Sequence, residues 1–228
     1  MRIIRFENID STQEHAKRVK IPPPFVVVSK KQLNGKGRFG RQWFSPEGGL
    51  WMTYVEKSKK LRHPGIPLGV SIAITRYLEK EKIKTKIKPP NDVYTKNGKM
   101  GGILVEFSGE NIFIGVGLNV NLEYFPSYIN ATSMYIETGK KYDIEEVMYG
   151  VIDEIKSFLK TFKDKGFSYF LKEIKEKTSI IGENVKIETS DRWFEGTIND
   201  IDEKGNLALT SNHGKPFTVN LEEVVKIL

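Results

Sequence analysis

The run of this sequence predicts an α+β protein: a mixed, largely antiparallel sheet with helices packed on one face, followed by a small β-barrel. Two observations carry that reading. Up to Thr178, β-type runs and helical stripes follow one another in the order strand, helix, strands, helix, strands, helices. After Thr178 the pattern shifts to short strands parted by glycine or polar turns: Val185 to Glu188, Trp193 to Ile201, Asn206 to Thr210, Lys215 to Asn220 and Val224 to Ile227. The domain limits expected are therefore 1–178 and 179–228.

Ile3 to Phe6 alternates as a first strand. Asp10-Ser11-Thr12 offers capping groups for a short helix from Gln13, which Pro22-Pro23-Pro24 stops. Phe25 to Ser29 is apolar and β-branched, as a buried strand is. From Leu33 to Pro46 the chain turns to glycine, lysine and arginine, which predicts a long mobile loop. Leu50 to Glu56 alternates again, and Leu68, Ile72, Ile74 and Leu78 make a helical stripe within 67–80. Lys84 to Lys88, Val93 to Thr95, Gly102 to Ser108 and Ile112 to Leu118 read as consecutive strands. Asn97-Gly98 and Gly109-Glu110 supply tight turns, so these strands predict an antiparallel meander. Val147, Val151, Ile155, Phe158, Leu159 and Phe162 then share one helical face, and 167–177 is a shorter amphipathic helix.

Composition narrows the function. With 228 residues, 39% hydrophobic and 29% charged, the chain can bury a core. No window approaches the roughly 18 apolar residues of a membrane span. Met1 to Phe6 has neither the apolar stretch nor the cleavage site of a signal peptide, so a cytoplasmic protein is expected. The absence of cysteine excludes disulfides, thiolate metal sites and cysteine nucleophiles. His15, His63 and His213 are scattered and make no metal site. A net charge of +7 suits nucleotide phosphates, an acidic protein or nucleic acid equally, and surplus lysines also simply solvate a surface.

The segment Gln32-Leu33-Asn34-Gly35-Lys36-Gly37-Arg38-Phe39-Gly40-Arg41-Gln42-Trp43 carries the most chemistry. Glycines permit close backbone approach, and three cations can enclose phosphate oxygens. It is no Walker loop, because the Gly-Lys-Ser/Thr ending is missing. From the residues alone, a flexible linker or a nucleic-acid contact fits as well.

This loop resembles the signature of biotin protein ligases, Gln-x-x-Gly-Arg-Gly-Arg-x-x-Arg-x-Trp followed by Ser-Pro. Gln32, Gly35, Gly37, Arg38, Arg41, Trp43, Ser45 and Pro46 stand at the matching places. Lys36 replaces an arginine, keeping the charge but losing the planar fork. Asp10-Ser11-Thr12-Gln13 is similar to the family's Asp-Ser-Thr-Asn/Gln. Lys88-Pro89-Pro90-Asn91-Asp92 is similar to Lys-Trp-Pro-Asn-Asp, with Pro89 in place of tryptophan. Lys99 to Glu106 resembles Lys-x-x-Gly-Ile-Leu-x-Glu, and Gly115 to Asn121 resembles Gly-Ile-Gly-Ile-Asn-Val-Asn. Each motif alone is weak; five in family order are strong.

The resemblance implies a class II synthetase-like catalytic domain with an SH3-like barrel, in a short form without the N-terminal DNA-binding domain of the family's repressors. It implies an enzyme that forms biotinyl-5'-AMP from biotin and ATP, with Mg2+, and transfers biotin to a lysine of a carboxylase's biotin carboxyl carrier domain. Lys99, Arg38 and Asp92 are then the catalytic residues. Ser11, Thr12, Gln13, Gln32, Gly35, Lys36, Gly37, Gly101 and Gly102, with Arg38 and Lys99, are the biotin site. Arg41, Trp43, Asn91 and Asn119, with Arg38, Asp92 and Lys99, are the nucleotide site. No protein metal ligands, DNA or membrane are expected, and the family occurs as monomers and homodimers. Read without the resemblance, Ser11-Thr12 is a helix cap, Lys99 an exposed turn lysine, Gly101-Gly102 a bulge, and Asn91-Asp92 the end of a proline turn. A lipoate-protein ligase shares this chemistry, but its arginine pair before a triple glycine is not visible. A basic nucleic-acid-binding module is the alternative from another class.

Overall fold

The computed structural model describes residues 1–228. Seven strands form the larger sheet: β1 (Arg2–Ile9), β2 (Phe25–Gln32), β3 (Leu50–Lys57), β4 (Lys86–Lys88), β5 (Asp92–Thr95), β6 (Gly98–Ser108) and β7 (Asn111–Leu118). Their order is β1-β2-β3-β7-β6-β5-β4, so the last four chain segments are the expected antiparallel meander. Only β1 and β2 run parallel. Strand β2 runs three residues beyond the expected Ser29, and this extension delivers Gln32 to the sheet's end.

Alternation splits the sheet into two faces. On one lie helices α2 (Ile66–Lys80) and α4 (Ile144–Lys165), with α5 (Leu171–Lys177) reached through a 3-10 turn at Phe167–Phe170. Val26, Val28, Met52, Tyr54, Ile112 and Ile114 meet them in a continuous buried core. Asp143 caps α4 by accepting from the amides of Glu145 and Glu146, and the expected Val147-to-Phe162 stripe is buried. Helices α2 and α4 interlock through reciprocal notches. A Cβ on Gly69 would come within 2.1 Å of the Phe158 ring, and one on Gly150 within 2.4 Å of Tyr77. Each glycine admits the other helix's aromatic, which brings the axes close.

The expectation of helices on one face holds for these three, but α1 (Thr12–Arg18) lies on the opposite face. Its Ala16 packs with Phe25, Val27, Val55 and Phe113, the residues between the core-facing ones. A further short helix, α3 (Met134–Thr138), is capped by Ser133, whose hydroxyl accepts from Ile136 N–H. Of the five helices, none is long and apolar enough to cross a membrane.

Strands β8 (Asn184–Thr189), β9 (Trp193–Ile201), β10 (Asn206–Ser211), β11 (Pro216–Asn220) and β12 (Val224–Ile227) form a second antiparallel sheet in the order β11-β10-β9-β8-β12. Its inward residues Ile187, Ile198, Leu207, Leu209 and Val224 join the main core rather than forming an isolated one. Lys175 on α5 pairs with Asp200 on β9 at 2.7 Å.

Substituting Gly69 by valine is expected to cost about 1–3 kcal/mol, because a ring packed without free space must move. A lower urea midpoint with an unchanged slope checks this; an unchanged midpoint contradicts the interlocking account.

Candidate active site

A cavity of about 330 Å³ opens between α1, the end of β2, the glycine-rich segment, strands β6 and β7, and the edge of the barrel. Its floor exists because two strands drop their side chains. Gly102 and Gly117 face each other across the β6–β7 ladder, and Gly115 lies two residues further along β7. The Trp43 indole lies on this floor. A Cβ on Gly117 would come within 2.5 Å of Trp43 Nε1, and one on Gly102 within 3.0 Å of its ring. Any larger residue at either place would lift the indole.

The segment over the cavity, expected as a long loop, folds back on itself. Gly37 N–H donates to Arg41 O at 2.7 Å and Trp43 N–H to Gly35 O at 2.8 Å, closing a small hairpin. Its tip, Arg38–Gly40, is a 3-10 turn in which Phe39 takes a left-handed φ of 56°. Gly35 is required here: a Cβ would sit 2.5 Å from Ser45 Oγ and 2.6 Å from Trp43 O.

One end of the cavity is uncharged and polar. Gln32 Oε1 accepts from Thr12 N–H at 2.8 Å and from its hydroxyl at 3.1 Å, while Gln32 Nε2 donates to Ser45 Oγ at 2.9 Å. The Thr53 hydroxyl lies 3.0 Å from Thr12 Oγ1 and 3.1 Å from Gln13 Oε1. Ser11 caps α1 and lines the cavity as well, so the capping and site readings hold together. Ser11, Thr12, Gln13, Ser45 and Thr53 are buried and Gln32 half-buried, and a polar chain of this kind fixes its members' orientations.

The other end is charged. A bulge in β6 opposite Val93 and Tyr94 turns both Lys99 and Gly102 toward the cavity and sends Met100 into the core. Lys99 Nζ lies 2.7 Å from Asp92 and 4.8 Å from the centre of the Trp43 ring. Asn91 clamps the preceding turn to β6, its Nδ2 donating to Ile103 O at 2.6 Å. Burial lowers the Arg38 pKa, and the negative charge of Asp92 works against that. Burial, then Asp92, pushes the Tyr94 phenol up to about 12. Six cations line the cavity (Lys36, Arg38, Arg41, Lys88, Lys99, Lys226) against one carboxylate, Asp92. Gln13 lies beside Gly115, and Trp43 and Asp92 beside the Gly102–Gly117 pair. Two strand residues separate these levels, roughly 7 Å.

The structure brings together Ser11, Thr12, Gln13, Gln32, Lys36, Gly37, Arg38, Arg41, Trp43, Asn91, Asp92, Lys99 and Gly102. It does not bring Gly35, Gly101 or Asn119 to the cavity wall. Asn119 Nδ2 donates to Lys99 O at 3.2 Å and Thr132 O at 2.9 Å, so both amide hydrogens serve the backbone. Gly101 instead lets β6 approach Gly117 O, 2.8 Å from where its Cβ would be. Sequence reasoning missed Gly115 and Gly117 as site residues, although their period-two spacing on one strand is the signal of a bare face. It also missed the barrel. Val225, Lys226 and Ile227 line the cavity, Arg38 donates to the carbonyls of Leu221 (3.0 Å) and Glu222 (2.8 Å), and Arg41 to that of Val225 (2.7 Å).

A cavity with an uncharged hydrogen-bonding end and a cationic end, roofed by a basic glycine hairpin, defines a protein that binds a small acid beside a phosphorylated group. The family follows from direct comparison. The model of the biotin/lipoate A/B protein ligase family matches residues 5–121, and that of the biotin protein ligase C terminal domain matches residues 180–223. The bifunctional ligase/repressor BirA of Bacillus subtilis is 30% identical over 96% of this chain and 73% of its own. The biotin–[acetyl-CoA-carboxylase] ligase of Paracoccus denitrificans is 27% identical over 90% of this chain and 93% of its own. The biotin protein ligase from Aquifex aeolicus, solved in complex with biotin and ATP, superimposes with a TM-score of 0.92 at 32% identity, covering 99% of this chain and 98% of that one. The chain belongs to the biotin/lipoate A/B protein ligase family.

Replacing Gly117 by valine is expected to lift the indole and loosen the hairpin. Faster tryptic cleavage at Lys36, Arg38 and Arg41, with little change in the global melt, checks this; unchanged cleavage contradicts the floor's role.

Proposed function

We propose that this chain is a biotin protein ligase: it joins biotin to ATP as biotinyl-5'-AMP and passes the biotinyl group to a lysine of a biotin carboxyl carrier domain of a carboxylase. The observation that carries the choice of acid is the uncharged end built from Ser11, Thr12, Gln13, Gln32 and Thr53. A cyclic urea offers two N–H donors and a carbonyl acceptor to match it. The dithiolane of lipoate offers neither and would leave buried polar groups unpaired, which costs about 1–3 kcal/mol per group. With the urea at that end, the acid tail runs over the glycine floor toward Lys99.

Activation needs two anions, the biotin carboxylate and the α-phosphate, to approach. A carboxylate oxygen attacks the α-phosphorus, the bond to the bridging oxygen breaks, and pyrophosphate leaves. Lys99 sits where both anions would converge, and Arg38 and Arg41 on the hairpin offset the charge on the phosphates. Asp92 holds the Lys99 ammonium in place. Trp43 Nε1 is buried without a partner in the protein and can donate to an acceptor on the ligand. In the second step the acceptor lysine's neutral amine attacks the carbonyl carbon, AMP leaves with the electrons of the broken anhydride bond, and the amine loses a proton. No enzyme nucleophile is required, in keeping with a chain without cysteine.

Mg2+ belongs to this reading as the companion of ATP. No cluster of three or more metal-ligating side chains occurs, and the cavity's one carboxylate already pairs with Lys99. The residues fit an ion held mainly by phosphate oxygens, which withdraws charge from them. Limits of 1–178 for the catalytic part and 179–228 for the barrel suit this division of labour, with the barrel bracing the hairpin roof.

Purified protein given ATP and biotin is expected to release pyrophosphate, and lipoate is not expected to substitute. Lys99→Ala and Arg38→Ala are each expected to slow biotinyl-adenylate formation about a hundredfold or more. Adenylate formation at the normal rate in both variants would remove the mechanism, and release driven by lipoate alone would transfer the assignment to the lipoate branch.

A further inference from the structure

Glu106 closes the motif that begins at Lys99, yet neither half-reaction uses it. On β6 it lies on the same side as Gly102 and Leu104, opposite Phe113 across the ladder. It does not line the cavity. Its Oε2 instead meets Gln13 Nε2 at 2.7 Å and the Lys17 ammonium at 2.7 Å. Lys17 is itself held by Glu14 at 3.3 Å, and Glu14 reaches Lys36 of the glycine hairpin at 3.4 Å.

A primary amide can present either its donor or its acceptor after a half-turn. At Gln13 that choice is made by its surroundings. The side chain is buried, at 3% exposure, and its nitrogen end faces three acceptors: Glu106 Oε2, Phe113 O at 3.4 Å and Leu104 O at 3.5 Å. An ionised carboxylate only accepts, so the oxygen of Gln13 cannot turn toward it without repulsion. Oε1 is thereby aimed along β7 at Gly115, beside the Thr53 hydroxyl at 3.1 Å. That direction puts an acceptor at the uncharged end of the cavity, where a urea N–H needs one.

We propose that Glu106, braced by Lys17, is a positioning residue that locks the Gln13 amide with its oxygen toward the ligand and so sets the affinity for biotin. The proposal rests on the biotin reading above and deepens it. A plain structural ion pair would hold α1 on the sheet and change stability, not ligand preference. An amide lock changes biotin binding while leaving the nucleotide alone.

Calorimetric biotin Kd, the KM values for biotin and ATP in pyrophosphate release, and melting curves separate these roles. Wild type is compared with E106A, E106Q, K17M, Q13A and the Q13A/E106A double variant. E106A is expected to weaken biotin about tenfold, with the KM for ATP and kcat within about twofold of wild type. E106Q, whose amide can present a donor as well as an acceptor to Gln13, is expected to recover only part of that loss, and K17M to lose about threefold. The double variant is expected to bind no worse than Q13A, because Glu106 acts only through Gln13. Unchanged biotin affinity in E106A, an equal rise in the KM for ATP, or additive losses in the double variant would each overturn the proposal. If E106A fails to fold, E106Q and K17M carry the test, and full biotin affinity in both overturns it. Wild type that binds no biotin sinks the functional reading first and the proposal with it, an outcome visible before any variant is measured.

Discussion

The site depends on one steric constraint: the closest approach of an indole to a sheet face from which side chains are missing. Gly102 and Gly117 pair across β6 and β7 in a sheet otherwise dense with valine and isoleucine. Trp43 occupies the space this frees and anchors the hairpin that carries Arg38 and Arg41. Remove the floor, and the roof has nothing to rest on. A bulge then adds the charged group, because regular alternation from Gly102 would send Met100, not Lys99, into the cavity.

Around this floor the two ends of the cavity are organised by different physics. Thr12 and Thr53 are buried and, with the half-buried Gln32, orient one another through short hydrogen bonds, which makes that end rigid and selective for ligand shape. Lys99, Arg38 and Arg41 interact with one carboxylate and several carbonyls, leaving a surplus of positive charge. An anion brought there meets donors already oriented, so little reorganisation is needed.

Much of this was legible in the residues. The meander from 84 to 118 followed from its glycine turns, the α4 stripe from its period, and the barrel from its short alternating runs. The motifs placed Lys99, Asp92, Gln32 and Ser11 in one cavity across four separate elements. What was not legible is what depends on long-range approach. Helix α1 sits on the face opposite α2 because Ala16 is small enough to meet Phe25 and Phe113, a fit no local pattern records. The hold of Asn119 on Lys99 O and Thr132 O joins segments 20 and 13 positions away, which its motif does not record. The loop expected over 33–46 contains a hairpin closed at Gly35 and Gly37, a cross-segment pairing that composition does not reveal.

The arginine contacts with the barrel have a kinetic meaning. Arg38 and Leu221 are 183 positions apart in the chain, so their bond closes a very long loop of backbone. The entropy lost in such a closure is recovered only once both partners are already shaped. The complete cavity therefore waits on both sheets: neither the larger nor the smaller, formed alone, carries a roofed site.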